Sequence, residues 1–180
     1  MKFSRAEIPD IIIIEPHVFT DERGYFFESF KESELNNFLG YDVKFCQDNE
    51  SKSTYGVLRG LHYQEPPFAQ AKLVRVIQGS VLDVAVDVRK DSPTFGKHIA
   101  FELNDENKMQ LFIPRGFAHG FVVISETAIF SYKVDNYYNK EFENGIAYND
   151  SSLGIYWRLN QSQLKISSKD RSYPSLKTIK

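Results

Sequence analysis

The sequence predicts an all-β fold, built either as a barrel or as a sandwich. Three observations lead to this class. Short apolar runs recur through the middle of the chain, residues that favour tight turns separate these runs, and few stretches have the periodicity of an amphipathic helix. Many short strands with few helices are typical of closed or double-sheet β architectures.

The segment 81–88 shows the alternation of a strand most clearly. Its even positions are all aliphatic, whereas its odd positions include Asp83 and Asp87. This pattern predicts a half-buried strand. Turn formers such as Gly79 and Pro93 flank such runs. Similar runs predict five more strands, at 72–77, 98–103, 109–113, 120–124 and 128–134.

One short helix is expected before this region. Ser33 is a residue type that caps helix N-termini, and Leu35, Phe38 and Leu39 then follow at helical spacing. Gly40 is placed to end the helix, because glycine readily adopts the left-handed conformation found there. We therefore expect a few short peripheral helices around a β core.

Length and cysteine content indicate one domain in a reducing environment. A chain of 180 residues can bury a sizeable core without a covalent staple, and no repeat or linker divides it. Cys46 is the only cysteine, so no internal disulfide can form. We expect a buried, reduced thiol and a cytoplasmic protein.

Charge and hydropathy argue against two kinds of partner. The formal net charge of −2 gives no overall attraction for nucleic acid, so any phosphate recognition must be local. Residues 1–10 lack the apolar stretch of a signal peptide, and the run 11–14 is too short to cross a bilayer. We expect neither a nucleic-acid partner nor a membrane partner.

Two of the four histidines lie in segments that suit a ligand site. His62 follows Arg59 and Gly60, which make an open neighbourhood that favours anions. His119 follows Gly116 in a turn that leads into an apolar strand. From the residues alone, each histidine is equally consistent with a site and with a structural role.

The second histidine lies in a motif associated with metal sites. Pro114, Gly116 and His119 have the Pro-x-Gly-x-x-His spacing, which resembles the second motif of cupin barrels. The first cupin motif supplies His-x-His and a Glu, but here Gln64 stands where the second of those histidines would be. Two separated histidines fall short of the three or four ligands of a stable transition-metal site. We expect no metal and no cofactor.

Seven segments stand in order along the chain: 59–64 (RGLHYQ), 71–76 (AKLVRV), 81–87 (VLDVAVD), 92–96 (SPTFG), 113–121 (IPRGFAHGF), 132–134 (YKV) and 168–170 (SKD). Together they resemble the dTDP-4-dehydrorhamnose 3,5-epimerase family, and the resemblance covers nearly the whole chain. The chain departs from the family pattern at 148–151, where a Trp-Asn-Asp-Pro segment is usual, and it lacks the prolines expected before 168–170.

This resemblance implies a cupin-type jelly-roll barrel that works as a homodimer. The N-terminal strands, in about 1–50, would exchange with the partner subunit, and residues 51–135 would form the jelly-roll core. A C-terminal segment, 136–180, would pack over the barrel and supply Asp170 to the site. All of 1–180 would then be one domain.

The resemblance also implies an activity and the residues for it. The family inverts carbons 3 and 5 of dTDP-4-dehydro-6-deoxy-D-glucose to give dTDP-4-dehydro-L-rhamnose, a precursor for surface polysaccharide. His62 would be the base, because histidine side chains take up and release protons near neutral pH. Asp170 would fix its tautomer, Lys72 would stabilise the enolate, and Tyr132 would be the acid on the opposite face.

Nine further residues are expected to bind the nucleotide sugar. Two arginines suit the phosphates because guanidinium binds them through paired hydrogen bonds. Gln47 and Asn49, two positions apart, would share one face of a strand. A tyrosine would stack on the thymine, and three residues of the N-terminal strand would reach into the neighbouring subunit's site. The predicted binding residues are Arg23, Phe26, Glu28, Gln47, Asn49, Arg59, His119, Tyr138 and Lys169.

Three alternatives remain open at this point. A related enzyme could invert only one centre or isomerise the ketone of a similar nucleotide sugar. A non-catalytic barrel could keep the pocket without turnover, although a binding pocket needs no opposed acid and base. A metal-dependent cupin is the third alternative.

Overall fold

The computed structural model describes residues 1–178, so the last two residues of the expected segment 136–180 lie outside the described residues. The described chain is mostly strand, with two short helices, α1 (Glu32–Leu39) and α2 (Ser168–Arg171). Three single turns of 3₁₀ helix occur at Lys140–Phe142, Gln161–Gln163 and Leu176–Thr178. The strands are β1 (Lys2–Arg5), β2 (Ile12–Glu15), β3 (Phe19–Asp21), β4 (Gly24–Phe26), β5 (Gln47–Thr54), β6 (Val57–Gln64), β7 (Lys72–Gln78), β8 (Ser80–Asp87), β9 (His98–Asn104), β10 (Gln110–Ile113), β11 (Phe117–Val123), β12 (Thr127–Val134), β13 (Glu143–Gly145) and β14 (Lys165–Ile166).

Two large sheets form the body of the molecule. The first has the strand order β1-β2-β10-β7-β12-β5, and the second has the order β13-β6-β11-β8-β9 with β14 added in parallel to β6. Strands β3 and β4 form a separate antiparallel hairpin. All other pairings in the two sheets are antiparallel. This confirms the predicted all-β, cupin-type fold with few short helices.

The main apolar core lies between the two sheets. Val74 from β7 and Phe130 from β12 pack there against Ala85 from β8 and Phe121 from β11. Burying large side chains from both sheets removes apolar surface from water, which is the main force that holds the sheets together.

The outer face of the second sheet is also covered. Leu82, Val84 and Val86 of β8 pack against apolar residues of the C-terminal segment, among them Ile146 and Trp157. Strand β8 is therefore buried on both faces, and the prediction of a half-buried strand at 81–88 is wrong. The face predicted to be exposed carries Asp83, Ala85 and Asp87, and Ala85 packs there against the first sheet. Local alternation cannot reveal this cover, because it comes from strands distant in sequence.

Helix α1 covers the outer face of the first sheet. Leu35 packs there with Ile12, Leu73 and Phe112. Gly40 ends the helix in the left-handed conformation, as predicted, but the helix begins at Glu32 after Lys31, so Ser33 is not its cap. Acidic side chains in the first turn favour this start, because they interact well with the positive end of the helix dipole.

The six predicted strands are confirmed as β7 to β12, although β11 begins three residues earlier than expected.

The expected burial of Cys46 is wrong, because its side chain is exposed immediately before the first residue of β5. Among residues 1–178, no helix is both long and apolar enough to cross a membrane.

Candidate active site

A cleft of about 520 Å³ opens between the two sheets. Strands β6 and β11 of the second sheet form one wall, and β5, β7 and β12 of the first sheet form the other. Aromatic residues Phe121 and Phe130, which stack on each other with ring centroids 4.2 Å apart, also line it. The cleft contains seven of the residues that the sequence predicts for the site: Arg59, His62, Lys72, His119, Tyr132, Lys169 and Asp170.

His62 is paired with Asp170, which confirms the predicted contact. Nε2 of His62 lies 2.8 Å from Oδ1 of Asp170. Burial alone would raise the pKa of the Asp170 carboxyl, but hydrogen bonds from His62 and from the backbone N–H of Gly60 outweigh it and lower that pKa. An ionised carboxylate only accepts hydrogen bonds, so the Nε2–H of His62 is the donor to Asp170, and Nδ1 is the ring nitrogen that this contact does not hold.

Helix α2 fixes the position of Asp170. The hydroxyl of Ser167 accepts a hydrogen bond from the backbone N–H of Asp170 at 3.1 Å and so caps this short helix. Asp170 itself is only 4% exposed. The carboxylate that holds His62 is thus delivered by the C-terminal segment from outside the two sheets.

His119 has a carboxylate partner of its own. Its Nε2 lies 2.8 Å from Oδ2 of Asp83, a fully buried residue of β8. His119 is also the direct cross-strand partner of His62, so the two imidazoles lie side by side on one wall. His119 therefore has both of the roles left open by the sequence, since it lines the cleft and is held as a buried structural residue.

The backbones of β6 and β11, the strands that carry His62 and His119, approach each other closely beside the two histidines. Gly60 has φ +132°, and a Cβ placed on it would lie 2.5 Å from Cα of Gly120 on β11. The pairing of β6 with β11 shifts register between His119 and Phe121, next to this contact. Only glycine fits both positions, so the bulge beside the histidines depends on them.

Lys72 and Tyr132 reach the cleft from the opposite wall. Lys72 pairs with Val134 and Tyr132 pairs with Val74 across β7 and β12. Burial lowers the pKa of Lys72 to about 8, while Asp83 and Glu143 oppose this change. Burial raises the pKa of Tyr132, so its phenol stays protonated at neutral pH.

A second cavity of about 350 Å³ adjoins the first, and His62, Lys72 and Tyr132 line both. Gln47 and Asn49 lie on this cavity and share one face of β5, where Gln47 Nε2 donates to Asn49 Oδ1 at 2.8 Å. This agrees with the prediction that they share a strand face. Tyr138 also lines the second cavity.

Glu143 is a site residue that the sequence did not indicate. Its Oε2 accepts a hydrogen bond from the hydroxyl of Tyr138 at 2.6 Å and lies 2.5 Å from Nζ of Lys169. Burial would raise the pKa of Glu143, but the bonds from Lys169 and Tyr138 lower it. Glu143 therefore connects two of the predicted binding residues at the rim of the second cavity.

Three predicted binding residues lie outside both cavities in the single chain. Arg23, Phe26 and Glu28 are exposed, on or just after the β3–β4 hairpin. Among residues 1–178, the guanidinium of Arg23 pairs only with its neighbour Asp21, at 2.5 Å. Arg59, in contrast, lines the cleft, and its Nε donates to Ser53 Oγ at 3.2 Å.

The donor set does not resemble a metal centre. Among residues 1–178, no three or more His, Cys, Asp or Glu side chains cluster so that they could hold an ion. Nε2 of each cleft histidine is engaged by a carboxylate, and Gln64 accepts a hydrogen bond from the backbone of Asn139 at 2.9 Å.

A carboxylate-held imidazole, a phenol and a partly buried ammonium thus share one cleft of a cupin-type fold, an arrangement that defines a class of acid–base enzymes. Residues 5–178 match the family model described as dTDP-4-dehydrorhamnose 3,5-epimerase. The chain therefore belongs to this family, and it is an isomerase of the epimerase class.

Individual relatives agree with this assignment. The dTDP-4-dehydrorhamnose 3,5-epimerase of Shigella flexneri is 57% identical over 157 residues, which cover 87% of each chain. The crystal structure of the Elizabethkingia anophelis enzyme has a TM-score of 0.95 and 54% identity, and covers 98% of this chain and 97% of that one. The Legionella pneumophila enzyme, solved in complex with dTDP-4-keto-L-rhamnose, has a TM-score of 0.95 and 47% identity over 99% and 94% of the two chains.

Proposed function

We propose that this chain inverts carbons 3 and 5 of dTDP-4-dehydro-6-deoxy-D-glucose to give dTDP-4-dehydro-L-rhamnose, without a metal or a cofactor. One observation carries the proposal. His62 comes from one sheet and Tyr132 from the other, and both line the same cleft. Inversion requires proton removal on one face of the sugar ring and proton delivery on the other, which two opposed walls can supply.

The proposed reaction begins with proton abstraction by His62 from the carbon next to the 4-keto group. Asp170 holds the imidazole in the required tautomer and stabilises the imidazolium that forms. Negative charge then moves onto the keto oxygen, where the ammonium of Lys72 stabilises it. Tyr132 delivers a proton to the opposite face, and its raised pKa keeps the phenol in the acid form beforehand.

We assign the two cavities to the two parts of the substrate. The keto-sugar would occupy the first cavity beside His62 and His119, and the nucleotide would extend into the second. Arg59 suits a phosphate because its Nε is already engaged by Ser53, which leaves the two terminal nitrogens to bind oxygen atoms. Gln47 and Asn49 would bind phosphate or sugar hydroxyls. Tyr138 would stack on the thymine, and Lys169 would line the rim.

We further propose a homodimer in which the β3–β4 hairpin enters the neighbouring subunit's site. Phe19, Tyr25 and Phe26 are 57%, 58% and 67% exposed, a concentration of apolar surface that is typical of an interface. The N-terminal strands, in about 1–50, would pair with the partner subunit, and the hairpin would be the part that reaches its site; β1 and β2 also pair with each other, and β2 with β10, within this chain. The core 51–135 and the C-terminal segment 136–180 would complete a single domain of 1–180.

The shared site makes a prediction about Arg23. We expect Arg23→Ala and His62→Ala dimers to be inactive separately, whereas exchange of subunits between them restores activity. A mixed dimer has one site with both residues intact, so statistical mixing should recover roughly a quarter of the wild-type sites. The measurement is epimerase activity after mixing. If Arg23 acted in its own chain, mixing would recover no activity.

The lowered pKa of Lys72 makes a prediction about alkaline pH. The ammonium is charged below about pH 8 and neutral above it, so we expect kcat/KM to fall as the pH rises through about 8. Lys72→Met should lower kcat by about 10²–10³-fold. It should also remove this alkaline limb from the pH profile of the residual activity. The role would be contradicted if the limb near pH 8 persisted in Lys72→Met.

Solvent exchange tests the proposed reaction directly. The protein is incubated with dTDP-4-dehydro-6-deoxy-D-glucose in heavy water, with and without a chelator, and deuterium at carbons 3 and 5 is followed by NMR. The proposal requires chelator-insensitive exchange at both carbons together with inversion. Exchange at one carbon would instead indicate a mono-epimerase, and loss of exchange with chelator would indicate a metal enzyme.

We place this reaction in the supply of dTDP-rhamnose for polysaccharide. A cytoplasmic location is part of the proposal. The free, exposed thiol of Cys46 supports it, because such a thiol is stable in a reducing compartment.

A further inference from the structure

His62 has different neighbours on its two sides along the sheet. On β11 its cross-strand partner is His119, and on β13 its partner is Gly145. Directly paired residues in a sheet normally support each other through side-chain contacts. Gly145 has no side chain, so the backbone of β13 alone would leave one flank of the imidazole unsupported.

The ring of Tyr173 occupies the space that a side chain at position 145 would take. A Cβ placed on Gly145 would lie 2.7 Å from three carbon atoms of this ring. The ring also contacts His62, with centroids 5.5 Å apart and planes at 65°, an edge-to-face arrangement. Tyr173 thus supplies the flank that Gly145 lacks.

The segment that carries Tyr173 is well anchored. The carbonyl of Pro174 accepts a hydrogen bond from the backbone of Ala147 at 2.8 Å. The backbone N–H of Leu176, a buried residue, donates to Asp150 at 2.7 Å. Asp170 lies three residues before Tyr173, so one anchored segment delivers both the carboxylate and the ring that contact His62.

The hydroxyl of Tyr173 does not explain this placement. It is buried and has no partner of hydrogen-bond geometry among residues 1–178, although the ammonium of Lys169 lies near enough to oppose the rise in its pKa that burial causes. A buried hydroxyl without a partner costs stability, so the contribution of this side chain lies in its ring.

We propose that Tyr173 and Gly145 form a positioning pair that holds the imidazole of His62 on Asp170 and towards the cleft. The ring blocks rotation of the imidazole, and Gly145 makes the space for the ring. The effect on catalysis rests on the proposed function, in which His62 is the base. The effect on the orientation of His62 does not.

Three single variants test the ring. We expect Tyr173→Ala and Gly145→Ala to lower kcat by about 10- to 100-fold with little change in KM, because displacing a reacting group by about 1 Å has effects of this size. Tyr173→Phe keeps the ring and should keep wild-type kcat. Tyr156→Ala removes a tyrosine that is 76% exposed and serves as the matched control. An equal loss of kcat in Tyr173→Phe would overturn the proposal.

The double variant tests whether the two positions act together. In the Tyr173→Ala background the ring is gone, so Gly145→Ala should cause no further loss of kcat. Independent, multiplying losses would mean that position 145 acts on something other than the ring, which would overturn the pairing.

A spectroscopic measurement separates this proposal from the proposed reaction. The imidazole N–H that binds Asp170 can be observed by NMR in the protein without substrate and assigned by its loss in His62→Asn. We expect a sharp signal in the wild type and in Tyr173→Phe, and a signal broadened by solvent exchange in Tyr173→Ala. An unchanged signal in Tyr173→Ala would overturn the positioning role whether or not the protein epimerises this sugar.

Discussion

Replacement of His62 by alanine is expected to abolish deuterium exchange at carbons 3 and 5. A positioned general base contributes about 10²–10⁴-fold to rate, and His62 is the cleft imidazole that Asp170 positions for this role. His119 should not substitute, because its side chain is only 8% exposed, against 29% for His62, and so is less open to a sugar in the cleft. The measurement is NMR detection of deuterium in the sugar under conditions in which the wild type exchanges fully.

A matched variant separates catalysis from folding in this test. His62→Ala leaves the buried carboxylate of Asp170 without its side-chain donor, which costs about 1–3 kcal/mol of the free energy of unfolding. His62→Asn keeps an N–H donor near that carboxylate but cannot accept the proton. We expect both variants to be inactive and to bind dTDP, with His62→Asn the more stable. Wild-type exchange in either variant would rule out His62 as the base.

Much of the architecture follows from local sequence. Alternation of apolar residues and the intervening turn formers predict β7 to β12, because those signals act over only a few residues. The end of α1 at Gly40 follows for the same reason, since one glycine in the left-handed conformation ends the helix. His62, Lys72, Tyr132 and Asp170 share the cleft, but the family resemblance, not local pattern, is what predicts the four together.

Burial that depends on distant segments could not be predicted in this way. The alternation places Asp83 and Asp87 on a strand face that is expected to be exposed, yet both are fully buried. Each has a partner that compensates its charge: Asp83 bonds to His119, and Asp87 bonds to Arg89. The sequence does contain one indication of this burial. Two acidic residues within a strongly apolar run are each expected to have a buried partner if the strand is covered on both faces.

The least patterned part of the chain supplies much of the site. Glu143 and Tyr173 lie in polar, irregular stretches after β12, where neither periodicity nor a turn signal indicates their positions. Their roles depend on contacts with Lys169 and His62 that form only when the C-terminal segment folds over the second sheet. In this region Asp170, like Tyr138 and Lys169, is indicated by the family resemblance and not by a local pattern.

Tyr132 lies on the wall opposite His62, so we expect its replacement to affect inversion and deuterium exchange differently. Tyr132→Phe keeps the ring beside Phe130, where the centroids are 6.2 Å apart, and removes only the hydroxyl. We expect formation of the inverted sugar to fall by about 10²–10⁴-fold, since the acid on the second face is lost. Exchange of solvent deuterium should continue, because His62 can return a deuteron to the face from which it took the proton.

The ratio of exchange to inversion therefore tests the opposed-face arrangement. In the wild type each inverted centre carries deuterium, whereas Tyr132→Phe should yield deuterated sugar of unchanged configuration, which NMR of the recovered substrate can distinguish. Tyr138→Phe is the matched control, because the Tyr138 hydroxyl bonds to Glu143 at the proposed nucleotide end of the site. Its loss should change KM without changing the ratio of exchange to inversion. If Tyr132→Phe lost exchange and inversion to the same extent, the phenol would be needed for proton abstraction, and another group would have to deliver the second proton.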